Sequence, residues 1–426
     1  MSADYRPMWQ QLGLDLDALD ALLGVLGQAY QDIFLSQQKR PENMAYFDFV
    51  MSEVHGLRIK ELMDAKAVGR KVFGSFCVFV PEEFVLAVNG VLVGLCAGAE
   101  FGFAEAEKLL PTNTCSLIKS FMGFGLTKVC PYLAASDLVV GETTCDGKKK
   151  AYEIFADYVN QLYVMDLPQK KTGEGRALLR GEYRKFMAQV EQVSGKKITA
   201  DSLREAIKTV NAKRRAMQRL AKLRAADPTP ISGLDALLAN QVFFYDNPQR
   251  FTASVEKICD ELETRIKNKV GVSANGAPRI LVSGCPMAVP NWKTYMLVEQ
   301  SGAVIVGEES CVGERGTQFL VDENAATMDG MIEAIVDRYF ALDCAVFTPN
   351  PTRLEHIKQM AADYRADGVI HYNLQFCGPY QVESGPVTAK LLDADIPVLR
   401  IDTDYSMGDV EQLKTRIQAF LEQIGN

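Results

Sequence analysis

Apolar and polar positions alternate with two different periods along this chain, and the changes of period divide it into blocks. Over residues 1–65 the apolar positions Leu12, Leu19, Leu22, Leu23 and Leu26 recur at helical spacing. Short apolar runs follow, at Lys71–Phe76, Val91–Leu95, Asp137–Gly141 and Leu162–Met165, separated by helical stretches such as Pro81–Val88 and Cys115–Phe121. Strands alternating with helices predict a parallel sheet. From 173 to 275 the period is helical again and charges are dense, with Thr199 placed as a helix start. A second alternating block predicts strands at Arg279–Ser283, Ala303–Gly307, Cys344–Thr348, Gly368–Tyr372 and Val398–Ile401.

The expected organisation is an N-terminal helical segment (1–65), a first α/β domain (66–172), a helical arm (173–275) and a second α/β domain (276–426). The fold class is α/β, with two Rossmann-like, doubly wound parallel-sheet domains facing one cleft. The basic residues of the arm (Lys213, Arg214, Arg215, Arg219, Lys222, Arg224) read as a solvated face.

Composition narrows the chemistry. A net charge of −8 with no basic tract argues against nucleic-acid binding. Glycines, Pro81, Glu82 and Glu83 interrupt the most apolar stretch, Val72 to Phe103, which is core sequence and not a membrane span. No secretory signal is visible near the start, so the expected location is the cytoplasm. There the ten cysteines serve as ligands or core residues and not as disulfides. With three histidines, His55, His356 and His371, the chain is short of parts for histidine-rich metal sites and for Ser-His or Cys-His nucleophiles.

The cysteines carry the sharpest pattern. Cys77, Cys96, Cys115, Cys130 and Cys145 in the first block, and Cys285, Cys311 and Cys377 in the second, mostly follow apolar runs, and none forms a C-x-x-C pair. In open parallel sheets ligands collect at the carboxyl edge of the strands. Thiolates delivered there hold a soft metal, with iron–sulfur the leading candidate. Asn113 or Thr114 can cap a helix with Cys115 in its first turn, and Cys145 sits before a helix whose amino terminus lowers a thiol's pKa. The bland alternative, a buried core thiol, suits Cys259 and Cys344 and partly Cys77. Gly141 to Lys150 is no phosphate loop, since five residues and not four precede its Gly-Lys pair and Lys149 follows. His371 reads as a core histidine, with a cleft-lining role as the alternative, and Glu308, Glu309, Asp402 and Asp404 as solvated loop ends ahead of general acids or tuners of a cluster's field. No catalytic residue is assigned.

The strings LPTNTCSLIKSFMGF, KVCPY and SDLVVGETTCDGKKKAYE, followed by SGCPM, VIVGEESCVGER, LQFCGPY and TDYSMGDVEQLKTRIQAF, resemble the 2-hydroxyacyl-CoA dehydratase and benzoyl-CoA reductase superfamily. Within it they are most similar to the double-cubane cluster proteins. The resemblance implies a 4Fe–4S cubane held by Cys115, Cys145 and Cys377, and a second cubane joined through a bridging sulfide into an 8Fe–9S cluster. For the second set Cys96, Cys130 and Cys311 are favoured, with Cys285 in reserve. It implies an oxidoreductase component, homodimeric, which takes low-potential electrons from a separate homodimeric ATP-hydrolysing 4Fe–4S reductase and reduces small unsaturated molecules. The alternatives are a dehydratase subunit with one 4Fe–4S cubane, and an electron-storage or metal-carrier protein.

Overall fold

Short runs rich in valine and isoleucine become strands, fully buried at the centre of each sheet and partly exposed at most of the edges, because helices cover both faces of parallel sheets. The computed structural model describes residues 4–425. Its first sheet comprises β1 (Val72–Ser75), β2 (Val91–Gly94), β3 (Leu138–Glu142) and β4 (Leu162–Met165), in the order β2-β1-β3-β4 with every pairing parallel. The second comprises β5 (Arg279–Gly284), β6 (Val304–Glu309), β7 (Gly368–Leu374) and β8 (Val398–Thr403), in the order β6-β5-β7-β8, again all parallel. The two sheets therefore share one topology. In each, strand order reverses beside the central pair, the place where open α/β sheets form a crevice.

The N-terminal helices form as the sequence periodicity predicts. In Leu16–Tyr30, Asp15 caps the amino end and Leu19, Leu22, Leu26 and Tyr30 make the buried stripe. This segment reaches across to the second half, where Tyr30 and Phe34 meet the Trp292 ring at centroid distances of 5.9 and 4.9 Å. Between the sheets run the helices Gly173–Ser194, Ala200–Leu223, Gly233–Val242 and Pro248–Lys267. Thr199 starts the second of these with a reciprocal cap through Ser202. Every residue of Gly233–Val242 is buried, so this helix is part of the core. Its Gln241 accepts from Trp292 Nε1 at 2.8 Å and donates to the Met287 carbonyl at 2.8 Å.

The halves meet backbone to backbone. Gly98 N–H donates to the Val289 carbonyl at 2.9 Å, and a Cβ at Gly98 would lie 2.1 Å from the Ala288 oxygen, so only glycine fits there.

Three expectations are corrected. Residues 344–348 form no strand: Cys344 and Phe347 are buried in a loop between the helices Met328–Phe340 and Pro351–Asp363. The basic face of the arm is solvated only in part. Lys213 pairs with Glu82 at 2.9 Å, Arg214 with Glu83 at 2.7 Å and Arg224 with Glu308 at 2.7 Å, and all three cations are buried. Glu308 and Glu309 are not loop ends in solvent: they end β6 inside the core, because buried arginines stand ready to pair with them.

Candidate metal centre

The carboxyl edges of the two sheets close on one cavity of about 670 Å³. Cys77, Cys96 and Cys145 enter its wall just past β1, β2 and β3, and Cys285, Cys311 and Cys377 just past β5, β6 and β7. Cys115 and Cys344 complete the wall, one from each half. Eight of the ten cysteines thus face one space. Local geometry explains several placements. Gly284 adopts φ +126, and a Cβ there would lie 2.0 Å from the Tyr372 oxygen. The glycine lets β5 turn sharply and present Cys285. Cys115 is the N-cap of the helix Ser116–Leu126, and Cys145 is the N-cap of Asp146–Phe155, where its sulfur accepts from Lys148 N–H at 3.4 Å.

The thiols fall into two chains of contact. Cys115 is within hydrogen-bonding reach of Cys377, and Cys377 of Cys285. Cys77 is in reach of Cys311, and Cys311 of Cys344. Cys145 lies between, close enough to feel both Cys115 and Cys344. Cys96 donates to the Phe76 carbonyl at 2.9 Å.

The wall takes in Cys344, which the sequence reads as a core thiol, and Cys77, which it reads as core in part, but not Cys130, which the resemblance favours for the second set. Cys130 is absent from the cavity wall. It caps the short helix Pro131–Ala135, accepting from Leu133 N–H at 3.4 Å, and packs beside Leu22, Phe124 and Val129. The residue needed at the turn before Pro131 is a side-chain acceptor, and a cysteine sulfur fills that role. Cys259 is a core thiol in mid-helix, as expected.

The expected depression of the Cys115 and Cys145 pKa values does not occur. Contact with Cys377 and then burial push the Cys115 thiol well up, and burial pushes Cys145 up against its helix N-terminus. Cys77 is the exception, held down first by its hydrogen bond with Cys311 and also by the Lys148 ammonium. Such a wall suits metal-bound thiolates, since bound cations take the place of the thiol protons.

Buried charges surround the second chain of thiols. Arg315 donates to Cys311 Sγ at 3.4 Å and pairs with Tyr380 and with Glu309 at 2.5 Å. Arg353 holds the other Glu309 oxygen at 2.9 Å. Although burial opposes ionisation, Arg315 and Arg353 hold the Glu309 carboxyl at about 2. On the first half, Lys148 pairs with the buried Glu142 and lies over the Phe76 ring. His371 is fully buried with both ring nitrogens unpaired, and burial lowers it to about 3, so it is neutral.

Among the described residues no three His, Cys, Asp or Glu side chains converge tightly enough to hold a single metal ion. The donor set is instead sulfur-rich, histidine-free and spread around a cavity. It fits a polynuclear iron–sulfur group, whose irons are held by several separate thiolates.

The family model for "2-hydroxyglutaryl-CoA dehydratase, D-component" matches residues 77–424, nearly the whole chain from Cys77 onward. The chain belongs to this family. It is an enzyme component of the dehydratase and reductase type. Relatives span the family's chemistry. YjiM of Escherichia coli (strain K12), provisionally assigned as a dehydratase subunit, is 38% identical over 89% of this chain and 98% of its own length. The (R)-phenyllactyl-CoA dehydratase beta subunit of Clostridium sporogenes is 24% identical over 84% and 92%. A component of the benzoyl-CoA reductase of Thauera aromatica is 20% identical over 83% and 91%. Among the described residues no helix is long and apolar enough to cross a membrane.

Proposed function

We propose that this chain is an iron–sulfur reductase component whose cavity binds a double-cubane 8Fe–9S cluster. In this reading it takes low-potential electrons from a separate ATP-hydrolysing 4Fe–4S reductase and passes them to a small unsaturated molecule. The observation that carries the reading is the count of thiols on one wall. A single cubane held by Cys115, Cys145 and Cys377 would leave five cavity cysteines without a role. The second set is revised from the one the resemblance favours: Cys77, Cys311 and Cys344, each close enough to the next to shift its titration, replace Cys96, Cys130 and Cys311. Cys285, in contact with Cys377, stays in reserve.

When bound, such a cluster supplies single electrons at low potential. The chain's own residues set its surroundings. Phe76, Phe244 and Val289 on the wall exclude water. Arg315 and Lys148 place fixed positive charge beside Cys311 and Cys77. The reducing cytoplasm and a homodimeric assembly belong to the same proposal.

The second reading is a dehydratase subunit with one cubane, favoured by the dehydratase names among the relatives. The test mixes anaerobically purified chain with a purified ATP-hydrolysing 4Fe–4S reductase, and follows paramagnetic signals with and without ATP. The reading expects cluster reduction that depends on ATP. Reduction indifferent to ATP, or a chain that takes up no iron, overturns it.

A further inference from the structure

Behind the sulfur-lined cavity lies a smaller one of about 40 Å³, and beyond that an outer pocket of about 680 Å³. The three share walls in sequence. Ser75, Cys77, Gly94 and Phe244 line both the sulfur-lined cavity and the small one. Glu82 and Leu92 line both the small cavity and the outer pocket. The outer pocket is open to solvent, since the exposed residues Asn89, Glu205 and Gln249 form part of its rim. At the junction Lys213 Nζ donates to the Glu82 carboxylate at 2.9 and 3.2 Å. The Lys213 side chain is 3% exposed and that of Glu82 11%.

We propose that the Glu82–Lys213 pair is a proton relay joining solvent, through the outer pocket and the small cavity, to the sulfur-lined cavity. The proposal rests on the cluster-binding reading above. The small cavity is large enough for water, which needs roughly 10–15 Å³ and two to four polar partners. Lys213, Glu82, Arg214 and Ser75 stand around it. The neighbouring charged groups have partners of their own. Arg214 pairs with Glu83 at 2.7 Å, Tyr339 donates to Glu83 at 2.9 Å, and Arg338 donates to the Gly316 and Phe319 carbonyls. Asp246, which also attracts Lys213, is taken up by Arg250. Burial lowers the Lys213 pKa in spite of Glu82, which eases release of its proton.

Each electron delivered to the cavity by the external reductant adds a negative charge in a low-dielectric space, and a following proton neutralises it. One N–H bond of the Lys213 ammonium breaks and the proton passes to water in the small cavity, then onward to the sulfur-lined one. The Glu82 carboxylate then takes a proton from water in the outer pocket and passes it to the amine lone pair, which returns both groups to their starting charges. The net change is one solvent proton admitted per electron.

Lys213→Arg keeps a buried cation to hold Glu82 but gives up its proton far less readily. Glu82→Gln keeps shape and removes the acceptor. Iron-loaded wild type, K213R and E82Q are reduced with a photoreduced deazaflavin in weak buffer containing a pH-indicator dye. The relay predicts equal iron content and equal bleaching in all three, with proton uptake slowed at least about tenfold in both variants. Either variant alone carries the test if the other misfolds. Unaltered uptake rates at full iron, or a wild type that bleaches without taking up protons, overturn the relay alone. A wild type that holds no iron overturns the cluster-binding reading and the relay with it.

Discussion

The two sheets run the same strand order, and in each a cysteine follows the first three strands, yet the charges packed behind those cysteines differ. Behind β3 a single lysine, Lys148, meets a single carboxylate, Glu142. Behind β6 one carboxylate, Glu309, is clamped between two fully buried guanidinium groups, Arg315 and Arg353. The consequence reaches the thiols. Cys115 and Cys377 feel each other, Cys145 feels Cys115, and all three feel burial and backbone N–H groups, with no cationic side chain among the leading influences on them. Cys311 takes a hydrogen bond from Arg315, and Cys77 lies in the field of Lys148. Identical topology therefore supplies two thiol sets with unlike electrostatics. Hydrogen bonds to sulfur and nearby positive charge raise a cluster's potential. In the double-cubane reading, electrons settle first beside Cys77, Cys311 and Cys344.

The contrast between the halves breaks most visibly where both meet on the cluster. Cys377→Ala is expected to lose iron and to lower stability by on the order of several kcal/mol, because metal binding is coupled to folding. Iron analysis and anaerobic thermal unfolding read both effects.

The clamp comes next. Glu309→Gln leaves Arg315 buried without its counter-charge and Arg353 with Glu383 alone, and is expected to cost about 3–5 kcal/mol in denaturant unfolding. Its pH signature has a definite sign. The carboxyl is held at about 2 in the folded chain against an ordinary 4.5. Its contribution is therefore complete above about pH 4.5 and is lost as pH falls toward 2, amounting to about 3 kcal/mol. The E309Q variant should lack that acid-side slope.

A subtler change sharpens the contrast between the thiol sets. Arg315→Gln removes the donor to Cys311 and is expected to lower the potential of the centre near that residue while leaving the other in place. A redox titration followed by paramagnetic resonance reports both. The smallest effect is expected for Cys130→Ala, which removes a helix cap and a little packing. Iron content should be unchanged and stability should fall by about 1 kcal/mol.

Much of this layout was legible in the chain. The eight strands among the described residues all fall on predicted runs, because the apolar stretches of largely buried parallel strands stand out between amphipathic helices. The same rule misread residues 344–348, where the apolar run Ala-Val-Phe packs as a loop against helices. Cys115, Cys145 and Cys377 stood out because polar turn residues surround them. Cys344 did not, and Cys77 only in part, since a thiol on the wall of a buried cavity has the same apolar neighbours as a thiol in a core. Lys213 and Arg214 read as surface because their partners, Glu82 and Glu83, lie some 130 positions away. Pairing across that separation leaves no local mark.

In the double-cubane reading both thiol sets, and not only the first, bind iron. Iron and acid-labile sulfide per chain, measured on anaerobically purified wild type and on Cys344→Ala, test this most directly. The expected result is about eight irons in wild type and about half that number in the variant. About four irons in both would contradict it.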